Sequence, residues 1–197
     1  MSAPINEEAL DTLFRTARTA NGYNGDPVTE ADIRAIYDLV KMGPTSANQQ
    51  SGRFVWVMSD EAKAKLAAAS SGTNGAKILA APAAVVIGYD LAFNEHLPWL
   101  FPHAPTAKDW FPDEDVRFKH AFRNSSLQGA YFIFAARALG FDVGPMSGFD
   151  HAKVDAAFFA DQPNVKSNFI ATLGHADPST IFERLPRPEF DQFNRVD

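Results

Sequence analysis

Apolar residues in this chain fall into short runs closed off by breakers, and that pattern limits the fold more than any other feature. Arg53 to Met58 carries Phe54, Val55, Trp56 and Val57 in succession. Ala83 to Tyr89 is apolar throughout, with Pro82 before it and Gly88 near its end. Asn168 to Leu173 is a third such run. Runs of this length with Pro and Gly at their edges read as buried strands rather than helices. Val143, before Gly144-Pro145, is a candidate for a short further strand. The longest apolar stretches are Ile78 to Tyr89 and Gly129 to Gly140. They are broken by Pro82, Gly88 and Arg137 and stay short of the roughly 20 apolar residues that span a bilayer.

Between the strands the apolar spacing turns helical. Leu10, Leu13, Phe14 and Ala17 predict a helix over Glu7 to Ala20, with Asn6 as cap and Ile5 as staple. Asn21 to Pro27 reads as a loop. Thr29 caps a second helix whose apolar face is Ile33, Ile36, Tyr37 and Val40, stopped at Gly43-Pro44. Ser59 caps an alanine-rich helix to about Ala69, Asp113 to Leu139 is the longest helix, and Asp150 caps another carrying Val154, Ala157 and Phe158. Residues 93–112 differ in character. They hold four of the 13 prolines, both Trp99 and Trp110, and His96 and His103. A connector of that length and composition is more often a lid or pocket wall, although its aromatics also suit a core edge or a contact between subunits. Nothing resembles a linker or a repeat, so the expectation is one domain over residues 1–197 with a lid-like insertion at 93–112.

Composition removes several classes of function. None of the 197 residues is a cysteine, so disulfides, thiolate metal sites and a cysteine nucleophile are out. A net charge of −6 argues against nucleic acid held by bulk charge. The polar start, Met1 to Glu8, lacks the basic and apolar segments of a secretory signal, which points to a cytoplasmic protein. No Gly-x-Gly-x-x-Gly, Walker loop, His-Glu-x-x-His or Gly-x-Ser-x-Gly occurs. No two of the five histidines stand three or four residues apart, so no local metal set is expected.

What remains are small polar clusters at the ends of elements: Arg18-Thr19-Ala20-Asn21, Gly43 to Gln50, Asn74-Gly75-Ala76-Lys77, Gly144 to Phe149, and Arg184-Leu185-Pro186-Arg187. Singly, each has an ordinary use as cap, turn or solvated charge. Together they suit a ligand with a phosphate, a polyhydroxyl chain and a pyrimidine-like edge. Flavin mononucleotide (FMN) has those three regions.

In order and over about Leu10 to Pro188, these clusters resemble the FMN-dependent nitroreductase family. Gly43-Pro44-Thr45-Ser46-Ala47-Asn48 resembles its Pro-Ser-x-x-Asn loop. Asn74-x-x-Lys77 resembles its flavin-edge pair, Pro145-Met146-Ser147-Gly148-Phe149 its Pro-x-x-Gly-Phe loop, and Arg184-Leu185-Pro186 its C-terminal phosphate arginine. Arg18 to Tyr23, Phe122 to Gln128, Gly144 to Asp150 and Arg184 to Arg187 are closest to one branch. It comprises NADH dehydrogenase/NAD(P)H nitroreductase proteins and includes the malonic semialdehyde reductase of pyrimidine degradation.

The resemblance implies an α+β fold with a central, mainly antiparallel sheet flanked by helices, and an intertwined homodimer with FMN at the interface. It implies phosphate contacts from Arg18 and Arg184 with Thr19 and Asn21 nearby. Pro44, Thr45, Ser46 and Asn48 would reach the partner's flavin, Asn74 and Lys77 the pyrimidine edge, and Pro145, Met146, Ser147 and Gly148 the reactive ring. One departure stands out: many members carry a second basic residue where this chain has Asn21 and Gly22. No side chain is expected to act as nucleophile; Lys77 tunes the flavin. The implied activity is reduction of a small acceptor (a nitro compound, quinone or semialdehyde) by NADH or NADPH through the flavin. Malonic semialdehyde reduction and a non-catalytic flavin-binding module are the alternatives. Arg123 is open between a substrate carboxylate and a salt bridge to Glu114 or Asp115.

Overall fold

The computed structural model describes residues 3–197. Met1 and Ser2, the first residues of the polar start, lie outside them. In chain order the elements are α1 (Glu7–Leu10, continued by a π-turn Asp11–Arg15), α2 (Glu30–Val40), β1 (Gly52–Val57), α3 (Asp60–Ala68), α4 (Asn74–Ala80) and β2 (Ala83–Asp90). Then follow α5 (Leu97–Leu100), α6 (Glu114–Ala138), β3 (Asp142–Met146), α7 (His151–Phe158), β4 (Val165–Gly174) and α8 (Phe190–Phe193).

The four strands form one sheet in the order β1-β2-β4-β3, each neighbour antiparallel. The apolar runs are continuous because helices cover both faces. Along β2 the side chains alternate: Ala83, Val85 and Ile87 pack with Ile33, Ile36 and Val40 of α2 and Phe132 and Ala136 of α6. Ala84 and Val86 pack the other way, with Leu66 of α3, Ile78 of α4 and Val154 of α7. Strand β4 divides likewise, with Ala171 and Leu173 on the α2/α6 side and Ile170 on the other. Each fully buried Ile or Leu contributes about 1.5–3 kcal/mol against its exposed state. The result is the expected α+β architecture, a helix–sheet–helix sandwich.

Caps mark the helix starts as the sequence predicts. Thr29 Oγ1 accepts from Asp32 N at 3.2 Å while the Asp32 carboxylate accepts from Thr29 N at 2.8 Å. The Thr29 hydroxyl, donating to the Asp32 carboxylate at 2.6 Å, and then the Thr29 N–H hold that carboxyl below the usual carboxylate range. Asn6, Ser59, Asp113 and Asp150 cap α1, α3, α6 and α7.

Several boundaries differ. The expected first helix to Ala20 stops at Arg15. Beyond it the chain lies along β3, with Ala20 N donating to Val143 O at 3.1 Å, so a pairing partner outcompetes the helix. The Asn74-Gly75-Ala76-Lys77 cluster, expected to precede β2, opens helix α4, which runs to Ala80. The third strand run begins at Val165, and Gly144, Pro145 and Met146, expected to follow a strand, lie inside β3 opposite Thr172, Ala171 and Ile170. Of the apolar residues along α6, Phe118, Phe122 and Leu127 are exposed. No helix among the described residues is long and apolar enough to cross a membrane.

Candidate cofactor site

Residues 17–23 run beside β3 and end in a bridge between Tyr23 and Ala176. Tyr23 Oη donates to Thr172 Oγ1 at 2.6 Å, and burial pushes its phenol far up, so it stays protonated and fixes this segment to the sheet. The C-terminal tail lies across the same segment. Arg184 Nη2 donates to Arg15 O (2.6 Å) and Ala17 O (3.0 Å), and Arg18 donates to Phe182 O. Together they enclose a cavity of about 650 Å³ whose wall includes Arg18, Arg137, Arg184 and Arg187.

None of these four guanidinium groups has a carboxylate partner among the described residues. Arg137 lies on the buried side: Nη1 donates to Leu13 O at 3.0 Å and its carbon lies 5.9 Å from the Phe134 ring centroid. Burial lowers its pKa, Asp142 opposes that, and Arg184 adds to it. Glu183 is the one carboxylate residue of the wall and pairs with none of them, so four guanidinium groups leave an excess of positive charge that makes an anion site, and their planar forks suit phosphate or carboxylate.

Lys77 lies next to this cavity. Its Nζ donates to Asn21 Oδ1 at 2.7 Å, and Asn21 also lines the cavity. One helical turn earlier, Asn74 Nδ2 donates to Gly148 O at 3.1 Å, and Ser71 N donates to the same oxygen at 3.0 Å. A Cβ on Gly148 would stand 2.8 Å from Ser71 Oγ and 2.9 Å from Asn74 Nδ2, so the backbone comes close here only because the residue is glycine. Ser147 and Thr19 are exposed, Pro145 is half-buried in β3, and Met146 is buried in the core beside Ile170 and Val154. The chain therefore brings Arg18, Thr19, Asn21 and Arg184 to one cavity, with Lys77, Asn74 and Gly148 connected to it.

Pro44, Thr45, Ser46 and Asn48 lie elsewhere. Pro44 O accepts from Tyr131 Oη at 2.7 Å, Ser46 N donates to Asn124 Oδ1 at 2.8 Å, and Asn48 Nδ2 donates to Leu100 O at 2.8 Å. Thr45 Oγ1 accepts from Gln50 N at 3.2 Å. None of the four lines the arginine cavity. Ala47, Asn48 and Gln50 have φ of 48°, 49° and 44°. Left-handed backbone at non-glycine residues costs roughly 1 kcal/mol or more each and persists where the surroundings enforce it.

Asn48 and Gln50 border a second groove of about 540 Å³ with Lys41, Arg53, His96 and Trp99. Arg53 is ion-paired at 2.5 Å with the buried Asp90, while His96 Nε2 lies 3.7 Å from the same carboxylate. Segment 93–112 divides its aromatics between core and surface. Phe93, Leu97, Ala107 and Phe111 form a small core with Ala121, while Trp99 and Trp110 are exposed. Arg123 is exposed and makes no salt bridge among the described residues.

Sequence reasoning missed Arg137 and Arg187 as cavity residues. Arg187 stood in the Arg184–Arg187 motif, so proximity to Arg184 was a usable signal. Arg137 showed only as a charge breaking an apolar stretch, and its partner Leu13 comes from 124 residues away in the chain.

Comparison with known proteins gives the family and the fold. The Nitroreductase family model matches residues 14–175. A protein of Caulobacter sp. strain K31 named "Putative NADH dehydrogenase/NAD(P)H nitroreductase" is 57% identical over 98% of this chain and 99% of its own. One of the same name from Xanthomonas oryzae pv. oryzae is 55% identical over the whole of both chains. Among solved structures, a nitroreductase-like protein of Bacillus subtilis superposes with a TM-score of 0.85 at 22% identity, covering 98% of this chain and 100% of that one. A protein of Exiguobacterium sibiricum solved in complex with FMN gives 0.82 at 18% identity, covering 100% and 99%.

Proposed function

The chain belongs to the nitroreductase family, and on that premise we propose that it is an FMN-dependent NAD(P)H oxidoreductase working as a cytoplasmic homodimer on a small organic acceptor. The observation that carries this reading is the cavity with four guanidinium groups and no carboxylate paired to them, next to Lys77.

The donor set fits FMN. Arg18 and Arg184 would hold the phosphate, and Thr19 and Arg137 line the same cavity. Asn21 orients the Lys77 ammonium, which stabilises negative charge on the pyrimidine side in a site of reduced dielectric. Asn74 and the Gly148 carbonyl fix the loop, and Gly148 leaves room where a Cβ would crowd Ser71 and Asn74. Pro145, Met146 and Ser147 set the position of that loop. The bound FMN supplies the chemistry, storing two electrons between NADH or NADPH and the acceptor. No side chain needs to act as a nucleophile.

Thr45, Ser46 and Asn48, with Pro44, serve the site of a second copy. Two observations support this. They are held on α6 and α5, away from their own chain's cavity, in a strained loop. The chain also exposes much apolar surface: Phe182, Leu185, Phe193 and Val196 of the tail are 72–88% exposed, and Phe118 and Phe122 stand out from α6. A tail this apolar suits a neighbour to pack on. The groove of Lys41, Arg53, His96 and Trp99 then forms the acceptor side, where the exposed Trp99 ring suits a planar acceptor, with malonic semialdehyde as the alternative.

Purified protein tests the reading. The expected result is oxidised-flavin absorbance, with NADH or NADPH oxidised on adding a quinone, a nitroaromatic or malonic semialdehyde. Flavin bound without turnover of any acceptor would leave a binding module instead. Comparing kcat/KM across the three acceptors identifies the preferred class.

A further inference from the structure

A chain of buried amide groups ties His120 to the strained loop. His120 stands on α6, with its ring between Phe93 (centroids 6.5 Å, stacked) and Phe111 (4.8 Å, edge-on). Gln49 and Asn124 are 0% and 1% exposed. From the loop inward, Ser46 N donates to Asn124 Oδ1 (2.8 Å) and Asn124 Nδ2 donates to Gln49 Oε1 (2.9 Å). Asn124 Nδ2 also donates to His120 O (2.8 Å). The amide of Gln49 then faces His120 Nδ1 at 3.1 Å.

The direction of this chain is fixed at the loop end. A backbone N–H can only donate, so Asn124 must present its oxygen to Ser46. Asn124 then presents its NH2 to Gln49, and Gln49 presents its NH2 to His120. Nδ1 must therefore accept, which only the neutral imidazole with its proton on Nε2 does. Protonation puts an N–H on Nδ1 against the Gln49 NH2. Turning Gln49 over moves the conflict to Asn124, and turning Asn124 over moves it to the Ser46 N–H, where it cannot be relieved.

We infer that His120 is a positioning residue: its neutral ring, accepting from Gln49, locks the left-handed backbone of 46–50 through Asn124, and its protonation unlocks that loop. The loop's service to the cofactor rests on the function proposed above; the lock itself does not.

The surroundings favour the locked form. Burial, with the Arg123 charge adding to it, holds His120 below the ordinary histidine range. The groups packed on the ring from the 45–50 loop and the 93–112 segment are Gln49, Phe93 and Phe111, none of which titrates. Between the depressed folded value and the ordinary one, the folded state binds fewer protons than the unfolded. The stability of the lock is thus present at neutral pH and lost as pH falls through the folded value.

Hydrogen exchange of the 46–50 amides, measured from pH 5 to 8 and corrected for intrinsic rates, tests this with the wild type, H120F and N124D. In the wild type, exchange accelerates on acidification by roughly five- to tenfold, the range set by loss of a single hydrogen bond. H120F keeps the ring packing and removes the acceptor, so its exchange is fast and flat with pH. In N124D both side-chain atoms of residue 124 accept. Gln49 then turns its oxygen to His120, and the loop becomes better protected at acid pH than at neutral. FMN affinity, followed by flavin fluorescence, should move in step with exchange in all three proteins. Exchange at 46–50 that ignores pH in the wild type overturns the proposal, as does H120F or N124D with a wild-type profile. A protein that shows the exchange behaviour but binds no FMN keeps the lock and refutes the cofactor role.

Discussion

Lys77 owes its place to Asn21. Without the 2.7 Å bond between them the ammonium would be free to turn to solvent. With it, a half-buried positive charge is held beside a cavity already rich in arginine. Lys77→Met should leave FMN affinity within a few-fold of wild type, because the phosphate arginines are untouched. It should slow reduction by NADH roughly 100- to 1,000-fold, the scale for losing one preorganised electrostatic contact. Stopped-flow absorbance under nitrogen reads the rate; an unchanged rate removes the tuning role from Lys77. At this scale the sequence was informative for residues grouped in short motifs, such as Asn74 with Lys77. It was silent on Arg137, whose partners Leu13 and Arg184 come to it only through the tertiary fold. It was also silent on the His120 relay, since Gln49 and Asn124 look like ordinary polar residues until burial makes their hydrogen bonds obligatory.

Among the elements, β1 and β2 were legible because both faces are buried, so each run is apolar without alternation. The start of strand β4 was read three residues late, because it alternates polar Lys166 and Asn168 with buried Val165 and Ser167. Helix α4 was hidden by its Asn74-Gly75 opening and its seven-residue length. The first helix was overread because Leu13, Phe14 and Ala17 keep helical spacing while the backbone from Ala17 turns to β3. Helix α6 offers a test where two effects compete. Glycine to alanine inside a helix ordinarily gains about 1 kcal/mol. At Gly129, however, a Cβ would stand 2.4 Å from the Phe169 ring, which packs on the α2/α6 core. Overpacking costs about 1–3 kcal/mol, so Gly129→Ala should destabilise. Urea unfolding should show a lower midpoint at unchanged slope; a higher midpoint would show that the ring yields freely.

For the whole molecule, the arginine cavity and the strained 44–50 loop are both built in one chain, yet they do not meet in it. The proposed account assigns them to opposite halves of two sites in a dimer. That arrangement explains why a chain of 197 residues with no dinucleotide motif carries an anion cavity, walled in part by Phe182 and Leu185 of the tail, at one place and a rigid polar loop at another. Mixing two defective chains tests it most directly. One chain carries Arg18→Ala with Arg184→Ala; the other carries Ser46→Glu, which sets a carboxylate on the exposed loop. Each alone should bind little FMN. After co-refolding in equal amounts, half of the dimers are mixed, and each mixed dimer has one site built wholly from native residues. Flavin content should recover to about one quarter of wild type, with NADH oxidation rising in proportion. Recovery of neither flavin nor activity, with mixed dimers shown to be present, would contradict a site shared between two chains.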